Sequence, residues 1–278
     1  MSDFRKRLGR EILFFDGAMG TCLQASGLAA GECPENRNIT DPELIYNVHK
    51  EYLLAGADVI LANTFGANRI KLDGKFSVTE VVKAGIGIAK KAVSDFGKKA
   101  YVALDIGSTG KLLKPYGSLE FEEAYNVFAE MVKAGAEAGA DLVSIETMTD
   151  IYETKAAILA VKENCDLPLT VTVSFDGSGK MLTGTDPEVA ATVITSLGAD
   201  CIGINCGLGP EQCLPLIKRI RECTDLPLTV SPNAGLPVLR NGKTVYELSP
   251  EKFAVQMKKW WTWERVSLVD VVERPLRT

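Results

Sequence analysis

Residues able to do chemistry stand in short phrases along this chain, and the phrase with the most potential holds Cys206. It follows an apolar run, Ile202 to Asn205, and opens the glycine-bracketed loop of CIGINCGLGP at 201–210. A thiol there, beside Asn205 and two glycines, is suited to hold a soft metal or to attack an electrophile. A buried strand cysteine also serves simply as a small apolar residue. One thiol does neither chemical job well alone, so its companions decide the matter. The candidates are polar residues that end other apolar runs: Asp16, Asn63, Asp105, Glu146, Asn205 and, slightly past its run, Asn233. A carboxylate at Glu146 could pair with the ammonium of an amino-acid substrate, with an outer salt bridge as the alternative. The phrase from Asp16 through Gly17 and Ala18 to Thr21 brings backbone amides and two glycines to where a substrate carboxylate could sit. Gly17 and Gly20 would equally serve tight geometry alone. The single histidine, His49, excludes most histidine-based metal and triad chemistry. In the first long helix it reads as a surface or interface residue.

The elements that must position these groups are marked by repeated phrases. GADVI at Gly56, GADLV at Gly139 and GADCI at Gly198 each end a helix at a left-handed glycine and open an apolar strand. DPE at Asp41, DPE at Asp186 and SPE at Ser249 place a capping side chain before a proline at the first helical position. Seven strands follow: Ile12–Asp16, Val59–Asn63, Tyr101–Asp105, Leu142–Glu146, Leu169–Phe175, Ile202–Asn205 and Leu228–Ser231. Amphipathic helices separate them, clearest over Phe121–Ala138, Ile151–Asn164 and Pro187–Leu197. Such alternation predicts a parallel sheet, and polar residues at the strand ends predict a (β/α)8 barrel with its site on that rim. A doubly wound sheet is the alternative, but no GxGxxG opens its first turn. The predicted barrel is one strand short.

Composition narrows the partners. With 46% hydrophobic and 24% charged residues, the 278-residue chain has the balance of a soluble globular protein with a sizeable core. Its net charge of −5 and lack of basic runs argue against nucleic acid. No apolar stretch suits a signal peptide or a bilayer span. Seven cysteines without a tight framework suit free thiols in a reducing cytoplasm.

Seven phrases in order, DGAMGT at Asp16, ANTFGA at Ala62, DIGSTG at Asp105, IETM at Ile145, TGTDPE at Thr183, GINCGLGP at Gly203 and SPNAGLP at Ser231, resemble the homocysteine S-methyltransferase family. Within it the likeness is to the homocysteine-binding module of the cobalamin-dependent members, and it covers residues from about 10 to 259. Ser108 stands where the family usually has proline. The resemblance implies methyl transfer to homocysteine, giving methionine, with substrate contacts at Asp16, Gly17, Ala18, Asn63, Glu146 and Asn233. It also implies zinc on three cysteines, which makes the substrate thiol a nucleophile near neutral pH. Cys206 matches the first ligand. Methylcobalamin is the implied donor, carried on a cobalamin-binding module or protein, with a folate-binding module or protein alongside. Betaine or S-methylmethionine as donor, and an inactive barrel without zinc, are the alternatives. A barrel aldolase would want a lysine at a strand end, and none of the seven has one.

The family's other two ligands lie in a GGCCGT phrase that is absent. Residues 1–259 therefore read as the barrel domain and residues 260–278, WWTWERVSLVDVVERPLRT, as an aberrant tail in place of strand eight and the zinc phrase. Read one base out, across each codon junction, the tail can spell VDLGASIVGGCCGTTPEH. The cysteine pair arises at Asp270–Val271 and Val271–Val272, so a one-base frameshift explains it. Val266 to Val272 has strand composition and is the expected occupant of the eighth slot, with Asp270 an awkward guest. An incomplete barrel would leave the edges of strands one and seven unpaired. Cys201, five residues before Cys206, falls at the far end of its strand. Cys22 is the other cysteine near the rim, while Cys165, Cys213 and Cys223 read as helix packing and helix ends.

Overall fold

The computed structural model describes residues 2–29, 31–235, 237–240, 243–246, 248–261 and 266–269. Its strands are β1 Leu13–Phe14, β2 Val59–Leu61, β3 Tyr101–Ile106, β4 Leu142–Met148, β5 Leu169–Val173, β6 Cys201–Asn205, β7 Leu228–Ser231, β8 Pro237–Arg240, β9 Lys243–Tyr246 and β10 Val266–Val269. Eight of them make one parallel sheet in the order β1-β10-β7-β6-β5-β4-β3-β2, while β8 and β9 pair as an antiparallel hairpin. The two ends of that order meet. Phe15 bridges Val59 in parallel, the Asp16 N–H donates to the Val59 carbonyl at 2.9 Å, and the Asp58 N–H donates to the Phe14 carbonyl at 2.7 Å. The chain is therefore an α/β barrel of TIM type, with helices between its strands.

The unpaired edges expected for strands one and seven are not found. β10 pairs with β1 at Leu13↔Leu268 and Phe14↔Val269, and with β7 at Val266↔Leu228 and Val269↔Val230. Two facing open edges carry backbone groups that must find partners, and a β-prone segment with the right reach satisfies both. The fit is irregular, since the register with β7 slips between Val266 and Leu268. Asp270 lies outside the described residues, as does the rest of the tail beyond it.

The helix-stop phrases behave as read: Gly56, Gly139 and Gly198 have φ of 106°, 84° and 83°. Asp41 caps the Leu44 N–H at 3.4 Å and Ser249 caps the Lys252 N–H at 3.3 Å. Asp186 is the exception. It stands at the N-cap, but its carboxylate turns to Lys180 at 2.6 Å and Arg219 at 3.5 Å, because two cations outcompete a backbone amide.

Two apolar clusters hold the barrel. The larger lies between sheet and helices, where Ile60, Val102, Leu104, Ile145 and Ile204 meet Val81, Ile86, Phe128, Ile158 and Ile217. The smaller closes the N-terminal end: Phe4 and Leu8 pack with Leu13, Val59, Leu142 and Cys201. Arg5 locks that plug by a two-bond fork to Asp200, at 2.8 and 3.1 Å, and by bonds to the carbonyls of Asp166 and Leu167. Between plug and rim the interior is polar. Ser144, Thr170, Thr172, Thr229 and Ser231 surround a void of about 10 Å³, with Glu146 also on its wall. Gly203 is required here, because a Cβ on it would lie 1.7 Å from the Thr229 carbonyl oxygen of the neighbouring strand.

Candidate functional site

At the C-terminal ends of the strands lies a cleft of about 310 Å³. Its walls come from the segment after β1 (Gly17 to Thr21 and Gln24), from Pro34 and Glu35, from the end of β2 (Leu61 to Asn63, and Phe65), from Asp105, from Glu146 and Thr147, and from Cys206. The barrel thus gathers groups spread over nearly 190 positions of sequence, between Gly17 and Cys206, because most of them follow or end a strand, while Pro34 and Glu35 come from a loop.

Glu146 is the group most changed by its setting. Some of the residue faces the cleft, but its carboxyl sits deep in the barrel mouth, and burial pushes its pKa up from 4.5 to about 7. No hydrogen bond holds it among the described residues, so an incoming cation would be its partner. Gly17 and Ala18 lead into the helix Met19–Ala25, whose first turn also lines the cleft, and the first N–H groups of a helix have no partner inside it. Ala18, at the N-cap, offers no side-chain cap.

Cys206 is the first residue past β6 and sits half-buried at φ 60°. Its N–H donates to the Ser231 carbonyl at 3.0 Å and its carbonyl accepts from the Leu208 N–H at 2.8 Å, which pins the turn. Thr147 has φ 57°, and these two are the non-glycine residues with positive φ among those described. Both face the cleft, and such backbone typically costs about 1–3 kcal/mol for a residue with a Cβ.

Of the other expected site residues, Asn63 lines the cleft, but its Nδ2 donates to the Pro34 carbonyl and the Asn38 Oδ1, both at 2.9 Å. Asp16 stands behind the wall, 2% exposed, with Oδ1 accepting the Leu61 N–H at 3.0 Å. Asn233 is buried at 4% exposure beside the mouth, its N–H donating to the Leu208 carbonyl at 2.9 Å, and it does not line the cleft. Gly17, Ala18, Asn63, Glu146 and Cys206 are thus brought together, with Asp16 and Asn233 one layer back.

His49 is not on the surface. It is fully buried, and its Nδ1 lies 3.9 Å from the Asp16 carboxylate. Burial lowers its pKa to about 3, so the ring is neutral. The sequence held the signal, since Ile45, Val48, His49, Tyr52 and Leu53 form one buried stripe at helical spacing. Glu35 was missed altogether. It is 4% exposed and lines the cleft, with Oε1 accepting the Gly66 N–H at 2.6 Å and Oε2 accepting the Cys33 thiol at 3.0 Å. Nothing in its loop sequence marks a strand end, so only the packing of that loop over the rim reveals it.

Cys213 is near enough to Cys206 to feel its charge, with its thiol donating to the Leu208 carbonyl at 3.8 Å. Cys22 faces the Tyr52 hydroxyl at 3.7 Å, and Cys33 is bound to Glu35, with its thiol pushed up to about 12 by burial. Cys201 is in the basal plug, as its spacing predicts. Among the described residues no group of three or more His, Cys, Asp or Glu side chains could hold a metal ion. The three-thiolate zinc site implied by the resemblance therefore does not fit the residues described.

Comparison with known proteins decides the relationship. The family model described as homocysteine S-methyltransferase matches residues 13–271. The methionine synthase of Mycobacterium tuberculosis is 31% identical over 271 residues, covering 91% of this chain and 23% of that protein. That of Mycobacterium leprae is also 31% identical, with 22% of its length covered. The chain belongs to the homocysteine S-methyltransferase family. It spans about a quarter of the length of the methionine synthases it matches. The metallated form of the homocysteine methyltransferase MmuM from Escherichia coli superposes with a TM-score of 0.77 at 21% identity, covering 95% of this chain and 92% of that one. That likeness is one of fold. Among the described residues no helix is long and apolar enough to cross a membrane.

Proposed function

We propose that this homocysteine S-methyltransferase barrel binds homocysteine in the rim cleft as the acceptor module of a methyl transfer. The observation that carries the reading is the unpartnered carboxyl of Glu146 on the same cleft as the first turn of Met19–Ala25. An amino acid presents an ammonium and a carboxylate, and these two walls complement them. Asn63 and Gly17 to Ala18 shape the pocket between them, Asp16 backs it, and Asn233 supports the loop beside Cys206. The donor in this reading is methylcobalamin, presented by a cobalamin-binding module or protein, with folate chemistry on another. Betaine and S-methylmethionine are the competing donors.

A second reading rests on the metal-ligand count. With Cys206 the lone thiol on the cleft wall, the chain would bind the amino acid without activating its thiol. The division into a barrel over residues 1–259 and an out-of-frame tail over residues 260–278 belongs to the same proposal. Isothermal calorimetry with L-homocysteine tests the shared binding step, and methyl transfer from each donor class separates the two readings. Absence of homocysteine binding at millimolar ligand would overturn both.

A further inference from the structure

We infer that Asn205 is a positioning residue: from β6 it clamps Thr147 in a left-handed turn, and so holds the end of β4 in the arrangement that turns Glu146 and Thr147 together to the cleft. This rests on the proposed role of Glu146 as the amine partner.

The geometry starts from the alternation of β4. Leu142 points into the basal plug, Ser144 into the interior void, and Glu146 to the void and cleft, while Val143 and Ile145 pack outward against the helices. By period two, Thr147 belongs outside and Met148 inside. The reverse is found: Thr147 lines the cleft and Met148 joins the outer core, fully buried. The ladder with β5 breaks at that point, with register shifting between Ile145 and Met148. A bulge of this kind inserts one residue and re-aims its side chain. Here the inserted residue is β-branched at φ 57°, a conformation such residues rarely adopt, so something must hold it.

Asn205 does so with both ends of its amide. Its Oδ1 accepts the Thr147 N–H at 3.0 Å, and its Nδ2 donates to the Thr147 Oγ1 at 2.7 Å. It thereby supplies the partner that the broken ladder no longer provides. Asn205 is itself fixed, 1% exposed, registered with Ser231 of β7, and with its carbonyl accepting the Ser174 hydroxyl at 2.8 Å. One side chain thus joins β6 to β4 past the end of β5, linking the residue after Glu146 to the residue before Cys206. Because Asn205 does not line the cleft, it acts through Thr147.

The test is a rescue. Asn205→Ala should weaken L-homocysteine binding, measured by calorimetry, at least about tenfold, since a buried N–H and a strained turn lose their partner. Thr147→Gly needs no clamp, because glycine takes positive φ without a Cβ penalty. The double variant Asn205→Ala/Thr147→Gly should therefore bind at least about threefold more tightly than Asn205→Ala alone, a non-additivity that general loosening of the barrel does not produce. Should Asn205→Ala fail to fold, recovery of folded protein in the double variant is the readout. A double variant no better than Asn205→Ala, by whichever readout applies, overturns the inference. If the parent does not bind homocysteine, the amine reading fails on its own. Crystal structures then judge the clamp: Thr147 leaving the left-handed region in Asn205→Ala supports it, and Thr147 staying there overturns it.

Discussion

Glu146 provides the sharpest test of the cleft, through the pH dependence of amino-acid binding. Its carboxyl titrates near 7 because burial disfavours the charged form. Pairing with a substrate ammonium needs the carboxylate, which is about one-tenth populated one unit below such a pKa and about one-hundredth two units below. The association constant for L-homocysteine should therefore rise roughly tenfold per pH unit from 5 to 7 and flatten above, until the ligand's own amine titrates. Binding at pH 6 should release close to one proton, which calorimetry in buffers of different ionisation enthalpy reads directly. Glu146→Gln should remove the slope and cost about tenfold or more at pH 8, where a charge-assisted bond is lost. The same group makes a stability prediction of definite sign. A carboxyl raised from 4.5 to about 7 binds more protons folded than unfolded between those values, so its contribution falls as pH rises through that window. The Gln variant should thus be more stable than the parent at pH 8, by about 1–3 kcal/mol in chemical denaturation, and lose this advantage at pH 4. A slope that survives in Glu146→Gln, or a parent whose binding is flat from pH 5 to 8, would refute the reasoning.

Three further outcomes are expected. Elemental analysis of the purified protein should give well below one zinc per chain, because no group of three or more metal-ligating side chains forms among the described residues; a stoichiometric, tightly held zinc would contradict this. Gly203→Ala should cost about 3 kcal/mol or more in chemical denaturation, since its Cβ would meet the Thr229 carbonyl at 1.7 Å and neither strand can retreat. Arg5→Ala should cost about 1–3 kcal/mol by unlocking the basal plug from Asp200 and from two carbonyls, with homocysteine affinity unchanged because the cleft is at the other end.

Much of this protein is determined locally and can be read without its fold. The GAD phrases end helices where glycine alone is comfortable at positive φ, the capping prolines start them, and both signals act over a few residues. A polar residue at the end of an apolar run is likewise a local fact, and it led to Asn63, Asp105 and Glu146 on the cleft wall and to Asp16, Asn205 and Asn233, which do not line it. What needed the tertiary structure depends on partners distant in sequence. Whether the tail closes the barrel was decided by two open edges, on β1 and β7, competing for the nearest β-prone segment. His49 was placed by the helix face that packs inward, and Glu35 by a loop folding over the rim to meet Gly66. The bulge at Thr147 leaves no local mark either, because the residue that stabilises its backbone, Asn205, is contributed by another strand 58 positions away.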